Sequence, residues 1–314
     1  MTPWLTVAIP VHLGEHFLGA TLESVAREEP KGIEFRLYNS GDDGGVSQRI
    51  AERFADRIDI HWRETPALTS WMAKTNLGVS EARAPHVAML HQDDLWLPGH
   101  VAAVRRTVTE HPAAALSIAA TRYADASNRV FGGWRLPFKP GIVSGNDFLS
   151  TLVVQNSIAI PTPIIQRDSW LAVGGLDETL WYTADWDLYL KLAAHDPVVI
   201  RREITTAFRL HAGSLTMTGS RDDADFRAQL EQVLDRHVGR VPSRQRRRAE
   251  RRARASIDVN CALAQASDGN KGALADAARS FLGLGPTELV RYVRQSRIID
   301  RVIPRLQLAV SGRI

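Results

Sequence analysis

Residues 90–96, Leu-His-Gln-Asp-Asp-Leu-Trp, put two adjacent carboxylates straight after the apolar run PHVAML. Paired acids at the mouth of a buried strand pack poorly. They suit a divalent cation, which is held by one or two carboxylates and completes its shell with water and phosphate oxygens. His91 adds a nitrogen ligand, which Mn²⁺ tolerates better than Mg²⁺. One acid here would serve as a cap for the helix that follows LWLPGH, but two favour binding chemistry.

A second acidic stretch is ADWDLYLKL, 184–192. On a helix Asp185 shares a face with Leu188 and Tyr189 and not with Asp187. Asp185 falls in the first turn, so it is placed either to favour the helix dipole or to act as a general base toward a hydroxyl, and spacing leaves both open. In FRLHAGS, His211 ends a strand before a small flexible loop, a position that suits a metal or phosphate contact but is weak alone. NSGDDGG, 39–45, is a turn by composition, and its Asn39 and Asp43 would sit at a strand end.

The elements that must position these residues alternate. Strands are expected at 5–11, 33–38, 58–62 and 85–90, separated by helices at about 15–27, 47–54 and 70–82. Such β-α-β-α order predicts a mostly parallel sheet with helices on both faces, and ligands gather at the carboxyl ends of its strands. HQDD, IPVH and NSGDD all lie at such ends. Further on, a helix is expected at 101–111, one strand over ALSIAATRY, a loop and short helix over 141–152, and a strand at PTPIIQ. The helix start RDSWLAV, a Gly174-Gly175 break, a helix over 183–195 and one or two strands over 198–211 follow. Beyond Arg221 the pattern is helical: 222–237, 243–266, 271–281 and 287–297, punctuated by Pro242, Gly283–Pro286 and Pro304.

Composition bounds the class. The 314 residues are 44% hydrophobic and 24% charged, ordinary for a globular chain. No apolar run approaches the ~18 residues of a membrane span, and the first residues read as a strand and not a signal peptide. The single cysteine, Cys261, excludes an internal disulfide and a Cys-rich zinc site and fits a cytoplasmic setting. Net charge is +4, but unevenly spread: from Arg221 onward there are 19 basic and 11 acidic residues, against 20 and 24 before it. A basic tail meets anionic surfaces, lipid or nucleic acid, or is a solvated helix. There is no GxxxxGK[ST], GxSxG or HExxH, nor a GxGxxG after a strand, which sets aside P-loop, α/β-hydrolase, zincin and dinucleotide-binding readings.

Taken in order, LTVAIPVHLGEHFLGATLESV, NSGDDGG, MAKTNLGVSEARAPHVAMLHQDDLWLP, VGGLDETLWYTADWDLYLKLA and FRLHAGSLT resemble the motifs of glycosyltransferase family 2. The resemblance runs from about residue 4 to 218. It implies the GT-A fold, a Rossmann-like, mostly parallel sheet flanked by helices, here with a C-terminal helical extension. It also implies a nucleotide-diphosphate sugar donor, a divalent cation (Mn²⁺ or Mg²⁺) and inversion at the anomeric carbon. By position, HQDD stands for the family's DxD motif. Asp93 matches its last acid, a metal and diphosphate contact, and His91 stands where the first acid usually is. Gln92 and Asp94 complete the motif. Asp185 matches the catalytic base, with Ala184 in place of the preceding Glu. Trp186 and Gly174-Gly175 match positions lining the acceptor and sugar pocket, and His211 one that approaches the metal. Pro10, Val11 and His12 match the strand end under the nucleobase, Asn39 and Asp43 the second strand end, and Lys74 and Asn76 a segment facing the nucleotide.

The resemblance divides the chain into a catalytic domain, 1–218, with a nucleotide half at about 1–100 and an acceptor half at about 101–218, and a basic helical region, 219–314. A UDP-sugar is the favoured donor. The acceptor, whether glycan, lipid-linked or small molecule, is left to loops at Asn128–Ser157 and to the region beyond Thr218. Two other readings stand beside transfer. One is a lapsed nucleotide-sugar-binding protein, motivated by His91 and Ala184. The other is nucleic-acid binding through RQRRRAERRAR, not expected because aromatic interleaving is absent. ELVRYVRQSRIIDRVIPRLQLAV has the spacing of an interfacial helix that would place the protein at the inner face of the membrane. Packing on the catalytic domain or a homo-oligomer contact is favoured, because Pro304 interrupts the pattern.

Overall fold

The computed structural model describes residues 2–194, 197–213, 223–267 and 272–310. His195, in the helix expected over 183–195, and Asp222, Lys271 and the 214–218 part of the resemblance lie outside the described residues.

The first half builds the nucleotide-type sheet. Strand β1 (Leu5–Val11) is buried along its whole length, as a central parallel strand with both faces covered must be. It pairs in parallel with β2 (Ile33–Asn39) and β4 (His86–Met89), and β3 (Asp59–Glu64) adds to β2. β3 is the edge, and its DIHWRE sequence exposes charged side chains that discourage further pairing. Helices α1 (Leu18–Ala26), α2 (Val46–Glu52) and α3 (Trp71–Ser80) connect these strands. The expected helix at 15–27 opens instead with a 3-10 turn at Gly14–His16, after Leu13 enters the left-handed region at φ 50°. α3 starts where Ser70 accepts from Ala73 N.

After β4 come β5 (Leu95–Trp96), α4 (His100–Glu110), β6 (Leu116–Ile118), β7 (Thr121–Ala124), β8 (Val130–Trp134), β9 (Gly141–Val143), α5 (Gly145–Leu152), β10 (Ile164–Gln166), α6 (Arg167–Ala172), α7 (Ala184–Leu192), β11 (Val198–Ile200) and β12 (Thr206–Arg209). The large sheet has the order β3-β2-β1-β4-β10-β6-β11-β9 and the small one β5-β12-β7-β8. ALSIAATRY is therefore two strands and not one. The chain leaves the large sheet after Ile118 and enters the small one at Thr121, and β11–β12 does the same beside it, paired in parallel in both sheets. β8, VFGGW, carries two glycines and was not expected as a strand.

The C-terminal region forms α8 (Asp223–Val238), α9 (Ser243–Ser267), α10 (Ala273–Leu282), α11 (Pro286–Ser296) and α12 (Ile298–Val310). It shares the main core with the sheet: Met72, Val87, Leu116, Phe148 and Leu188 cluster with Phe226, Leu230, Val233, Cys261 and Tyr292. Pro304 does not end α12. A proline has no N–H to give the carbonyl four residues back, here that of Asp300. Tyr123 Oη donates to that oxygen at 3.2 Å. Arg297 donates to Leu136 O and Arg135 pairs with Asp300, so this segment packs against β8 and its neighbours.

Candidate active site

The sheet's carboxyl end is knitted by side chains from separate strands. Gln92 forms a two-way amide pair with His12, accepting from its N–H at 2.8 Å and donating to its carbonyl at 2.9 Å. This joins the ends of β1 and β4 as a rung of sheet would. Pro10 falls past the last β1–β4 pair, Ala8 with Met89, where its missing N–H costs no rung. Lys74, 2% exposed, reaches from α3 to donate to Val11 O at 2.7 Å and Ser40 Oγ at 2.8 Å, and burial lowers its pKa to about 8.

Around this floor the turn residues mostly bind one another. Asn39 accepts from Gly41 N and donates to Gly41 O and to Glu64. Asp43 accepts from Ser47 N at 2.9 Å, capping α2. Asn76 accepts from Leu176 N and donates to Leu176 O, so it holds the Gly174–Gly175 turn against α3. Both glycines have positive φ, and a Cβ on Gly175 would stand 2.7 Å from Asn76 Oδ1 and from Trp170 Nε1. Only glycine fits there.

HQDD turns sharply: Asp94 N donates to His91 O, and the chain re-enters as β5. One ligand atom each from His91, Asp93 and Asp94 lies within 4.8 Å of the others. Asp94 is buried, with Oδ1 accepting from Arg209 N at 2.9 Å. Asp94 Oδ2 and His91 Nε2 are buried with no hydrogen-bond partner among the described residues. Burial, then the neighbouring Asp93 charge, pushes the Asp94 carboxyl well above its usual range. Burial would also raise Asp93, but the hydrogen bond with His211 and the nearby His91 hold it below. His211 Nε2 lies 2.9 Å from Asp93 Oδ2. Arg209, fully buried, donates to the carbonyls of Asp93 and Asp125 and lies over the Phe17 ring at 4.7 Å. Close-set nitrogen and oxygen atoms, two of them buried without a hydrogen-bond partner among the described residues, fit a divalent cation.

Asp93 and His91 share one cleft with Asp185 and Trp186. The enclosed part of the cleft measures about 140 Å³, and it opens to solvent at its mouth. Asp185 is 8% exposed, and burial raises its pKa to about 6 despite hydrogen bonds from Asn156 Nδ2 (2.9 Å) and Trp186 N (2.8 Å). Asn156 is fixed in turn, its Oδ1 accepting from Ile158 N at 3.1 Å. Asp187 does something else: it meets His237 at 2.8 Å and Lys191 at 3.1 Å, tying α7 to α8. His237 presents Nε2–H to Asp187 while its Nδ1 faces the Arg240 guanidinium at 3.0 Å, which fixes the tautomer. Ala184, where the motif usually has Glu, is fully buried in the main core. The rest of the cleft wall includes Trp71, Trp134 and Phe208, with Phe226 from α8, Asn260 from α9 and Arg301 from α12. None of these, nor Asn156, was singled out from the sequence.

A family model described as Glycosyltransferase like family 2 matches residues 6–238. The chain belongs to that family. Curated relatives of this glycosyltransferase include an uncharacterized glycosyltransferase of Rickettsia prowazekii, 23% identical over 69% of this chain and 67% of its own. A second, from Rickettsia bellii, is 24% identical over 67% of this chain but only 30% of its own length. Among solved structures, S. aureus TarS in complex with UDP aligns at a TM-score of 0.60, 12% identical, over 78% of this chain and 69% of its own. A mannosyltransferase of Pyrobaculum calidifontis, solved with GDP-Man and Mn²⁺, aligns at 0.54, 14% identical, over 98% and 88%. The fold of this glycosyltransferase is thus the GT-A type. Among its described residues no helix is long and apolar enough to cross a membrane.

Proposed function

We propose that this glycosyltransferase moves a sugar, with inversion, from a nucleotide-diphosphate donor to an acceptor hydroxyl, and that a UDP-sugar is the favoured donor. The observation that carries the reading is the shared cleft: the cation-type corner opens into it through His91 and Asp93, with Asp94 buried behind them, and the buried carboxylate of Asp185 lines the same space. UDP is the ligand of TarS and GDP-Man that of the mannosyltransferase, so the base stays open between them. Lys74, Ser40 and the His12–Gln92 rung form the floor on the nucleotide side.

A divalent cation bound at the acidic corner would neutralise the donor diphosphate and the charge it gains as it leaves. Asp185 accepts the proton of the attacking hydroxyl. Its raised pKa, about 6, makes it a stronger base than an ordinary carboxylate and leaves it mostly ionised at neutral pH. Asn156 Nδ2 donates to Oδ2 and Trp186 N donates to Oδ1, so both oxygens of that carboxylate are held in place. The hydrogen bond from Asn156 also lowers the Asp185 pKa against its burial. Asn156→Ala is therefore expected to move the acid limb of the pH–rate profile to higher pH and to cut the rate at pH 6 about tenfold, with a smaller loss at pH 8.

The test is a thermal-shift panel of UDP, GDP, dTDP and CMP, each with and without Mn²⁺. A Mn²⁺-dependent rise with one nucleotide is expected and names the donor class. A flat response to every nucleotide would overturn the reading.

A further inference from the structure

Most arginines of the C-terminal helices are spoken for. Arg227 pairs with Asp258, Arg236 with Asp177, Arg252 with Glu288 and Arg254 with Glu250. The start of α9 is different. Arg244, Arg247, Arg248 and Arg251 recur at i, i+3, i+4 and i+7, so they form one stripe along the helix. All four are exposed. The side chains of Arg244, Arg247 and Arg248 make no ion pair or hydrogen bond among the described residues. Arg251 donates to Gly283 O at 3.1 Å, which places the turn after α10 beside the stripe. The residue before Gly283 is Leu282, 71% exposed, the most exposed of the large hydrophobic side chains described. Arg294 on α11 is also exposed and unpaired among the described residues.

Like charges at these spacings repel and cost the helix stability when nothing anionic faces them. Four guanidinium groups strung along about 10 Å of straight helix fit a flat array of phosphate-bearing headgroups. A protruding leucine at their edge gains by entering the headgroup–acyl boundary and gains nothing against a phosphate backbone. Residues 243–254 hold no aromatic side chain to stack on bases. We propose that this stripe, with Leu282, is a docking surface for an anionic lipid bilayer. It lies on a different element from the α11–α12 segment whose spacing fits an interfacial helix; of that segment, α12 packs on the small sheet and α11 on α9 and α10. Asn260, farther along α9, lines the cleft, so the docking surface and the cleft wall share one rod of helix.

The experiment is co-sedimentation of the full chain with vesicles of phosphatidylcholine alone and of phosphatidylcholine with about a third phosphatidylglycerol. Binding to the anionic vesicles only is expected, and it should disappear in 0.5 M NaCl. The triple variant Arg244→Gln/Arg247→Gln/Arg248→Gln should bind about a hundredfold more weakly with a melting temperature no lower than wild type, since those side chains hold nothing in the fold and repel one another. Leu282→Ser should weaken binding several-fold at constant charge. Equal binding to both vesicle types, no binding, or full binding by the triple variant would each overturn the proposal. So would salt-sensitive binding to duplex DNA by a protein that ignores the anionic vesicles, which would assign the stripe to nucleic acid.

Discussion

Asp185→Asn is expected to lower kcat by about a thousandfold, the usual weight of a positioned general base, while nucleotide affinity stays within about twofold. The donor floor and the acidic corner are built from other strands, so losing the base leaves them standing. The pH dependence carries the sign. In the proposed mechanism the ionised carboxylate is the active form, and burial raises its pKa to about 6. The wild-type rate should therefore be flat above pH 7 and fall about tenfold per unit below 6. The same shift works against the fold. A carboxylate with a raised folded pKa contributes stability fully below its unfolded pKa of 3.8, and that stability is lost as pH rises through about 6. Keeping Asp185 ionised at neutral pH thus costs the fold on the order of 2–3 kcal/mol. A variant retaining more than a tenth of wild-type turnover would remove Asp185 from the mechanism.

The second large effect is expected at the acidic corner. Asp93→Asn keeps the shape and can still accept from His211, so the fold should hold. What it removes is the charge that, beside His91 and Asp94, would hold a cation in the proposed site. Mn²⁺ should bind at least tenfold more weakly by calorimetry in the presence of the nucleotide. The Mn²⁺-dependent part of the thermal shift should vanish, and kcat/KM should fall by about two to three orders of magnitude. An unchanged Mn²⁺ response would remove HQDD from cation binding and leave it the structural role of tying β4 to Arg209 and His211, since the following helix is capped at Gly99 and not by either acid. The two variants should separate cleanly: Asp185→Asn binds donor without turning it over, and Asp93→Asn loses the metal-assisted part of binding itself.

The central strands were legible because β1 and β4 are largely apolar runs and β2 alternates Ile33, Phe35 and Leu37 with charged residues, patterns that have few other homes. Placing HQDD at a strand end followed from the same reading. Other features depend on partners that a sequence does not bring near. Asp185 and Asp187 look alike by spacing. They part only because His237 arrives from α8 to claim Asp187, while Asn156 arrives from the loop after α5 to hold Asp185. β8 escaped notice because VFGGW lacks an alternating pattern and gains its place from pairing with β7. ALSIAATRY reads as one strand because nothing in its composition marks the step from one sheet to the other. The amphipathic tail helices announce a buried face without saying what buries it, so the sequence pointed to the region beyond Thr218 for the acceptor but not to Phe226, Asn260 or Arg301 as cleft residues.

Pro304 has a consequence for that wall. Along α12 the Asp300 carbonyl is the one that proline deprives of a helical donor, and the Tyr123 hydroxyl meets it. The pairing works like a key in a lock. If the helix slid by one turn along the small sheet, the deprived carbonyl would leave the hydroxyl behind. Arg301 follows Asp300 directly, so the notch that seats the helix also chooses which side chain faces the cleft.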